Sequence, residues 1–149
     1  MISFQREIVY DFMGDCQELL KLHYQELTRN KEVVSLNPIW EKYAALEKAG
    51  LIALFTARDD GQLVGYSAFI VQPHLHYAET LIAQNDVLFL HPDYRKGMTG
   101  IKLIKYSERE LKTQGVRKIV WHAKMDTVFR KILNRLGYVE EEVMAAKLL

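Results

Sequence analysis

The chain has little of what marks a secreted or membrane-embedded protein. Cys16 is the only cysteine in 149 residues, so no internal disulfide can form, and a reducing, cytoplasmic setting is expected. No apolar run nears the roughly 20 residues that span a bilayer, so no transmembrane helix is expected. The opening Met1-Ile2-Ser3-Phe4-Gln5-Arg6 lacks the pattern of a secretory leader. A net charge of +1 gives no general pull toward nucleic acid or anionic lipid, and neither is expected as a partner. There are no repeats and no Pro- or Ser-rich linker, so 1–149 reads as a single domain. The 49% hydrophobic content is ample for its core, and Cys16 itself belongs in that core.

What is present centres on NDVLFLHPDYRKGMTGIKLIKYSEREL, residues 85–111. Val87-Leu88-Phe89-Leu90 is a short continuous apolar run, the mark of a buried strand. His91-Pro92-Asp93-Tyr94 is a turn, because Pro fixes its own φ and pushes His91 out of the helical region. The spacing of Leu103, Ile104, Ser107 and Leu111 predicts an amphipathic helix over 101–111. Between turn and helix, Arg95-Lys96-Gly97-Met98-Thr99-Gly100 feeds a helix start, where free N–H groups and the positive dipole end converge. Arg95, Lys96, Lys102 and Lys105 add charge of the same sign. The stretch is suited to an anion of pyrophosphate size; the plainer reading is that Gly97 merely starts the helix.

Taken in order, 3–8 reads as a strand. Phe12, Cys16, Leu19, Leu20, His23 and Leu27 share one face of a helix over 11–28. Residues 30–36 read as a loop, after which Asn37-Pro38 is expected to cap a second helix that ends at Gly50. Its aromatic stripe of Ile39, Trp40, Tyr43 and Leu46 is either core or the wall of an acceptor pocket. Strands over 51–58 and 63–72 are joined by Asp59-Asp60-Gly61, a hairpin signal. Residues 73–79 are expected to be irregular, with a strand following to Leu90. After Gly115 come a strand over 116–122, a helix over 127–136 with Asp126 as N-cap, and a last strand over 138–149. The fold class expected is α/β (α+β): a mixed, mostly antiparallel sheet with helices on both faces.

His91-Pro92-Asp93-Tyr94-Arg95 followed by Gly97 and Gly100 resembles the acyl-CoA loop of the GCN5-related N-acetyltransferases, the GNAT superfamily. That family's pattern is Arg or Gln, two residues, Gly, one residue, then Gly or Ala. Arg95 takes the first place and Gly100 the last, while Met98 stands at the middle Gly place with Gly97 one residue early. The wording of the loop also resembles small GNAT proteins encoded by phages and prophages. The resemblance implies the fold just described and acetyl-CoA as acyl donor, held where two neighbouring strands splay apart. It implies backbone contacts to the pantetheine arm at Leu88 and Leu90, with 119–122 as the splayed partner. The pyrophosphate would meet Lys96, Gly97, Met98, Thr99, Gly100 and Ile101, beside Arg95. It implies direct attack of a primary amine on the thioester, the acceptor being a small molecule or a protein lysine or amino terminus. A homodimer is compatible with the sequence, which does not set the oligomeric state.

Two departures bear on chemistry. The family's thiolate-protonating Tyr falls on Leu133, and Tyr138 falls on a Phe place that packs in the core. For the base, strand parity places Gln84, Asp86, Leu88 and Leu90 on one face, and the resemblance implies an acid near the N-terminal end of this strand, on the side of the reacting carbonyl, which makes Asp86 the candidate. Its plainer reading is a turn-capping Asp, and a bulge would reverse the parity argument. His74, His76 and Glu79 could ligate a metal, touch the acceptor or form a structural loop; no metal is expected, because no second cluster supports one. Two further readings stay open: a GNAT-like module that holds acyl-CoA without transfer, and a structural or partner-binding protein.

Overall fold

The computed structural model describes residues 1–149. In chain order the elements are β1 (Ile2–Arg6), α1 (Val9–Asp15), α2 (Gln17–Leu27), α3 (Trp40–Lys48), β2 (Ile52–Asp59), β3 (Gln62–His74), β4 (Tyr77–Leu90), α4 (Thr99–Thr113), β5 (Lys118–Val120) and α5 (Val128–Arg135). A 3-10 turn, Pro92–Tyr94, lies between β4 and α4. The five strands form one sheet in sequence order. The first three pairings are antiparallel and β4–β5 is parallel, because α4 carries the chain back across the sheet. This is the mixed, mostly antiparallel sheet that the pattern predicts.

The sheet buries both faces. Under α4, Phe55, Phe69, Val71 and Ala83 meet Leu103 and Leu111. Under α1 and α2, Leu54, Tyr66, Ala68 and Phe89 meet Phe12, Cys16 and Leu19. Burial in the second cluster pushes the Cys16 thiol up to about 11, so it behaves as a core residue. Ser67 and Ser107, both buried, share a 2.8 Å hydrogen bond that pins β3 to α4. No helix is long and apolar enough to cross a membrane.

Several boundaries differ from the expectation. The helix over 11–28 is two helices, broken at Cys16 where Gly14 and Asp15 weaken the helical run. Asn37 does not cap α3; the helix starts later, with Ile39 as its N-cap and no side-chain capping hydrogen bond. Residues 73–79 are the tip of a β3–β4 hairpin, with His74 opposite Tyr77 and a register shift at Pro73, where proline cannot donate to the ladder. The hairpin at Asp60-Gly61 is as expected, with both residues at positive φ (46° and 91°). Thr127, not Asp126, is the N-cap of α5; Asp126 takes φ 61°, a conformation its short polar side chain tolerates. Residues 138–149 form no strand. Their Glu140-Glu141-Glu142 run is poor in strand propensity, and its side chains reach instead to Arg130 (2.8 Å) and Lys118 (2.7 Å).

Candidate active site

The edge of β4 away from β3 pairs with β5 only at Ile82, Ala83 and Gln84. Beyond Gln84 and Val120 the two strands part, which is why the strand expected over 116–122 is only three residues long. Gln84 Nε2 and His122 Nε2 lie 3.2 Å apart at the mouth of this cleft. The His91 N–H donates to the Val64 carbonyl at 2.8 Å, so the peptide groups of His91 and Phe89 face β3. Alternation along the strand turns those of Leu88 and Leu90 to the open edge.

A bulge sits at the same place. Ala68 is opposite Val87 and Phe69 opposite Asn85, which leaves Asp86 without a partner in β3. The buried Asn85 amide donates to the Val87 and Ala68 carbonyls at 2.9 and 3.2 Å and so holds the bulge. Parity flips across it: Ala83 and Leu88 both pack against the core under α4. The one-face set Gln84, Asp86, Leu88 and Leu90 is therefore split, and Asp86 turns to the α3 side. There the Tyr43 hydroxyl donates to Asp86 Oδ2 at 2.6 Å. Burial, and then the Asp86 hydrogen bond, push the Tyr43 hydroxyl well above the usual tyrosine range, so it remains a donor. Asp86 lies inside β4, not in a turn, and makes no ion pair.

At the far end of the open edge the chain turns through Pro92–Tyr94 and enters α4 with Met98 as N-cap. The N–H groups of Lys96, Gly97, Met98, Thr99, Gly100 and Ile101 make no hydrogen bond to the rest of the chain; the first intrahelical bond is Lys102 N–H to the Met98 carbonyl, 2.8 Å. Those N–H groups share one loop with the positive end of a 15-residue helix. Gly97 carries φ 119°, which only glycine adopts freely, whereas Met98 sits at φ −100° and needs no glycine. The special backbone position of the loop has moved one residue earlier, and the methionine side chain is exposed. A Cβ on Gly100 would meet only Leu90 Cδ2, at 3.5 Å. The Lys96, Lys102 and Lys105 side chains are exposed around the loop.

Arg95 departs from the expectation of a free cation. Its Nε donates to the Leu90 carbonyl (2.8 Å), and its two terminal nitrogens grip both oxygens of Glu26 in α2 (2.6 and 2.7 Å). The guanidinium lies 5.1 Å from the Phe89 ring centroid, and it holds Glu26 below the usual carboxylate range. Arg95 thus fastens the loop to α2, and Leu90 keeps only its N–H for the open edge. The His23 ring stacks on Phe89 at 4.7 Å, with Nδ1 2.7 Å from the Tyr66 hydroxyl. Burial lowers the His23 pKa to about 4.

Leu133 is buried in α5 and offers no proton. The Tyr138 hydroxyl donates to Glu108 at 2.7 Å and is committed to packing. His74 and His76, with ring centroids 5.5 Å apart, stand at the hairpin tip, about 30 Å along β4 from Asp86. No three His, Cys, Asp or Glu side chains converge as metal ligands, there or elsewhere. Asn85 and Glu26 have no signal in the sequence. Tyr43 falls in the aromatic stripe read as core or acceptor-pocket wall, but its bond to Asp86 has no local signal.

Residues 15–138 match the profile of the Acetyltransferase (GNAT) family. No curated protein is significantly similar in sequence. Among solved structures, the chain is similar to the ribosomal-protein-alanine N-acetyltransferase of Brucella melitensis biovar Abortus 2308, with TM-score 0.75 and 19% identity over 100% of this chain and 99% of that one. It is similar to an aminoglycoside acetyltransferase from an uncultured soil metagenomic sample, with TM-score 0.77 and 16% identity over 99% and 96%. A "predicted acetyltransferase with acetyl-CoA" from Clostridium acetobutylicum gives TM-score 0.71 and 12% identity over 99% and 96%. At these identities the likeness to each is one of fold.

Proposed function

The chain belongs to the acetyltransferase (GNAT) family, and from that premise we propose that it moves an acetyl group from acetyl-CoA to a primary amine by direct attack on the thioester. The observation that carries this reading is the open edge of β4 running straight into a loop of unpaired N–H groups. Leu88 and the Leu90 N–H offer an extended pantetheine arm the hydrogen bonds of an added strand. The N–H groups from Lys96 to Ile101 and the dipole of α4 suit a diphosphate. The bulge separates two jobs by face: the Leu88 side chain packs under α4, while Asp86 looks toward α3, where an amine can approach.

Asp86 takes the proton from the attacking ammonium, directly or through one water. Tyr43 fixes its carboxylate by one oxygen and leaves the other free. With Leu133 in place of a hydroxyl, the thiolate leaves without a side-chain acid. A thiol pKa of about 8.5 makes that departure far easier than an alkoxide's. The acceptor is a small amine, or a lysine or amino terminus of a protein; the names of the fold neighbours span both classes. The Leu133 departure also favours a second reading, a domain that holds acyl-CoA without transferring it. Native mass spectrometry with acetyl-CoA and with CoA, followed by thiol release against a panel of amines, tests both. The expected result is one coenzyme per chain and amine-dependent release of CoA. Binding without release supports the second reading, and no binding removes both.

A further inference from the structure

A small hollow opens beside Asp86, between α1, α3 and the sheet, with a volume of about 40 Å³. Phe12, Trp40, Tyr43, Leu54, Ala68 and Val87 line it, and no charged side chain does. Two of these residues join it to the base. Val87 follows Asp86 in the bulge, and Tyr43 lines the hollow with its ring while its hydroxyl holds the Asp86 carboxylate. An ammonium seated on Asp86 therefore has an apolar recess one side chain away.

The charges around it point the same way. Glu7 and Asp15 are bound to Arg58, Glu26 is bound to Arg95, and Glu47 accepts the Val9 N–H at 2.8 Å. Asp86 has no ion-pair partner, and no charged side chain lines the hollow, so the recess offers nothing to a second ammonium. A cavity of about 150 Å³ holds a benzene ring. A hollow of this size takes the end of an alkyl chain and rejects a sugar or a large aromatic ring.

Resting on the acetyl-transfer reading, we infer that the acceptor is a monoamine with a short aliphatic body, whose ammonium sits on Asp86 and whose alkyl end fills the hollow. This separates the chain from aminoglycoside-acetylating proteins of the same fold, whose substrates carry several ammonium groups. The inference concerns the amine side only and asks nothing further of the coenzyme loop.

The test reads amine binding to the CoA-loaded protein by calorimetry or by NMR titration, and acetyl transfer in a parallel assay. The ligands are propylamine, butylamine and pentylamine, each paired with the amino-alcohol of equal length, and then spermidine and kanamycin. Affinity is expected to rise about fourfold per methylene along the alkyl series, the value of burying one CH₂. Each amino-alcohol should bind at least tenfold more weakly than its alkyl partner, and the polyamines should gain nothing from their extra charges. Leu20→Phe, which fills the hollow from α2, should flatten the alkyl series; a melting curve on the same preparation establishes that the variant is folded. A flat wild-type series, or tighter binding of spermidine or kanamycin, overturns the inference. Because binding is read without turnover, a wild-type series that holds while no amine is acetylated keeps the recess and removes the transfer reading instead.

Discussion

Asp86 and Tyr43 form the smallest unit of the account. Asp86→Asn keeps the shape and removes the proposed base, so kcat should fall by about 10²–10⁴ while acetyl-CoA affinity stays nearly unchanged. Part of the loss should return at high pH, because an alkylammonium has a pKa of about 10 and the free amine is then already present. Wild-type turnover with a lowered melting temperature would make Asp86 a purely structural residue. Tyr43→Phe keeps the ring and removes one hydrogen bond to a charged group. That bond is worth about 1.5 kcal/mol, so kcat should fall roughly tenfold with the KM for acetyl-CoA unmoved. Asp86 was legible as a candidate because strand parity and the family resemblance both pointed to an acid at this position. Its setting was not legible. The bulge that turns it toward α3 leaves no mark in a local pattern, and Tyr43, 43 residues earlier, meets it only through the fold.

The loop and its two flanking elements were the most legible part of the chain, because their signals are local. Pro92 fixes the turn, Gly97 supplies the positive φ, and the spacing of Leu103, Ile104, Ser107 and Leu111 sets the buried face of α4. The Arg95–Glu26 pair was not, since its partners are 69 residues apart. That pairing changes what Arg95→Ala should do. Losing a half-exposed bidentate pair and its bond to Leu90 should lower stability by about 1 kcal/mol. The thermal shift produced by acetyl-CoA should largely survive, because the N–H groups from Lys96 to Ile101 remain. Differential scanning fluorimetry with and without acetyl-CoA reads both effects, and loss of the shift in a folded protein would make the guanidinium itself a ligand contact. The strand expected over 138–149 failed for a related reason. Its apolar residues alternate poorly around three glutamates, and Arg130 and Lys118, from other elements, claim two of them.

For the whole molecule, the order of strands followed from the order of periodic segments, but the break between β4 and β5 did not, and it is on that break that the proposed transfer depends. The fold also sets a dependence on pH. Burial lowers His23 from 6.5 to about 4, so between those values the unfolded chain binds more protons than the native one. Its contribution is full above pH 6.5 and is lost as pH falls toward 4, amounting to about 2 kcal/mol by about pH 5. Melting temperatures across this range should fall less steeply for His23→Gln than for the wild type, and equal slopes would contradict the assignment. The central claim is that the open edge of β4 and the loop before α4 together hold an acyl-CoA. Gly100→Asp tests it with little risk to the fold. The new Cβ meets only Leu90, at ordinary contact distance, and an acid in the first turn of a helix favours the helix. Its negative charge, however, lies among the N–H groups meant for a phosphate. Acetyl-CoA titrated into both proteins by calorimetry, with melting curves alongside, should bind the wild type one to one. At a hundredfold excess over Kd it should stabilise that protein by about 2.7 kcal/mol. The folded Gly100→Asp protein should show neither effect; equal binding by both proteins, or no binding by the wild type, would contradict the account.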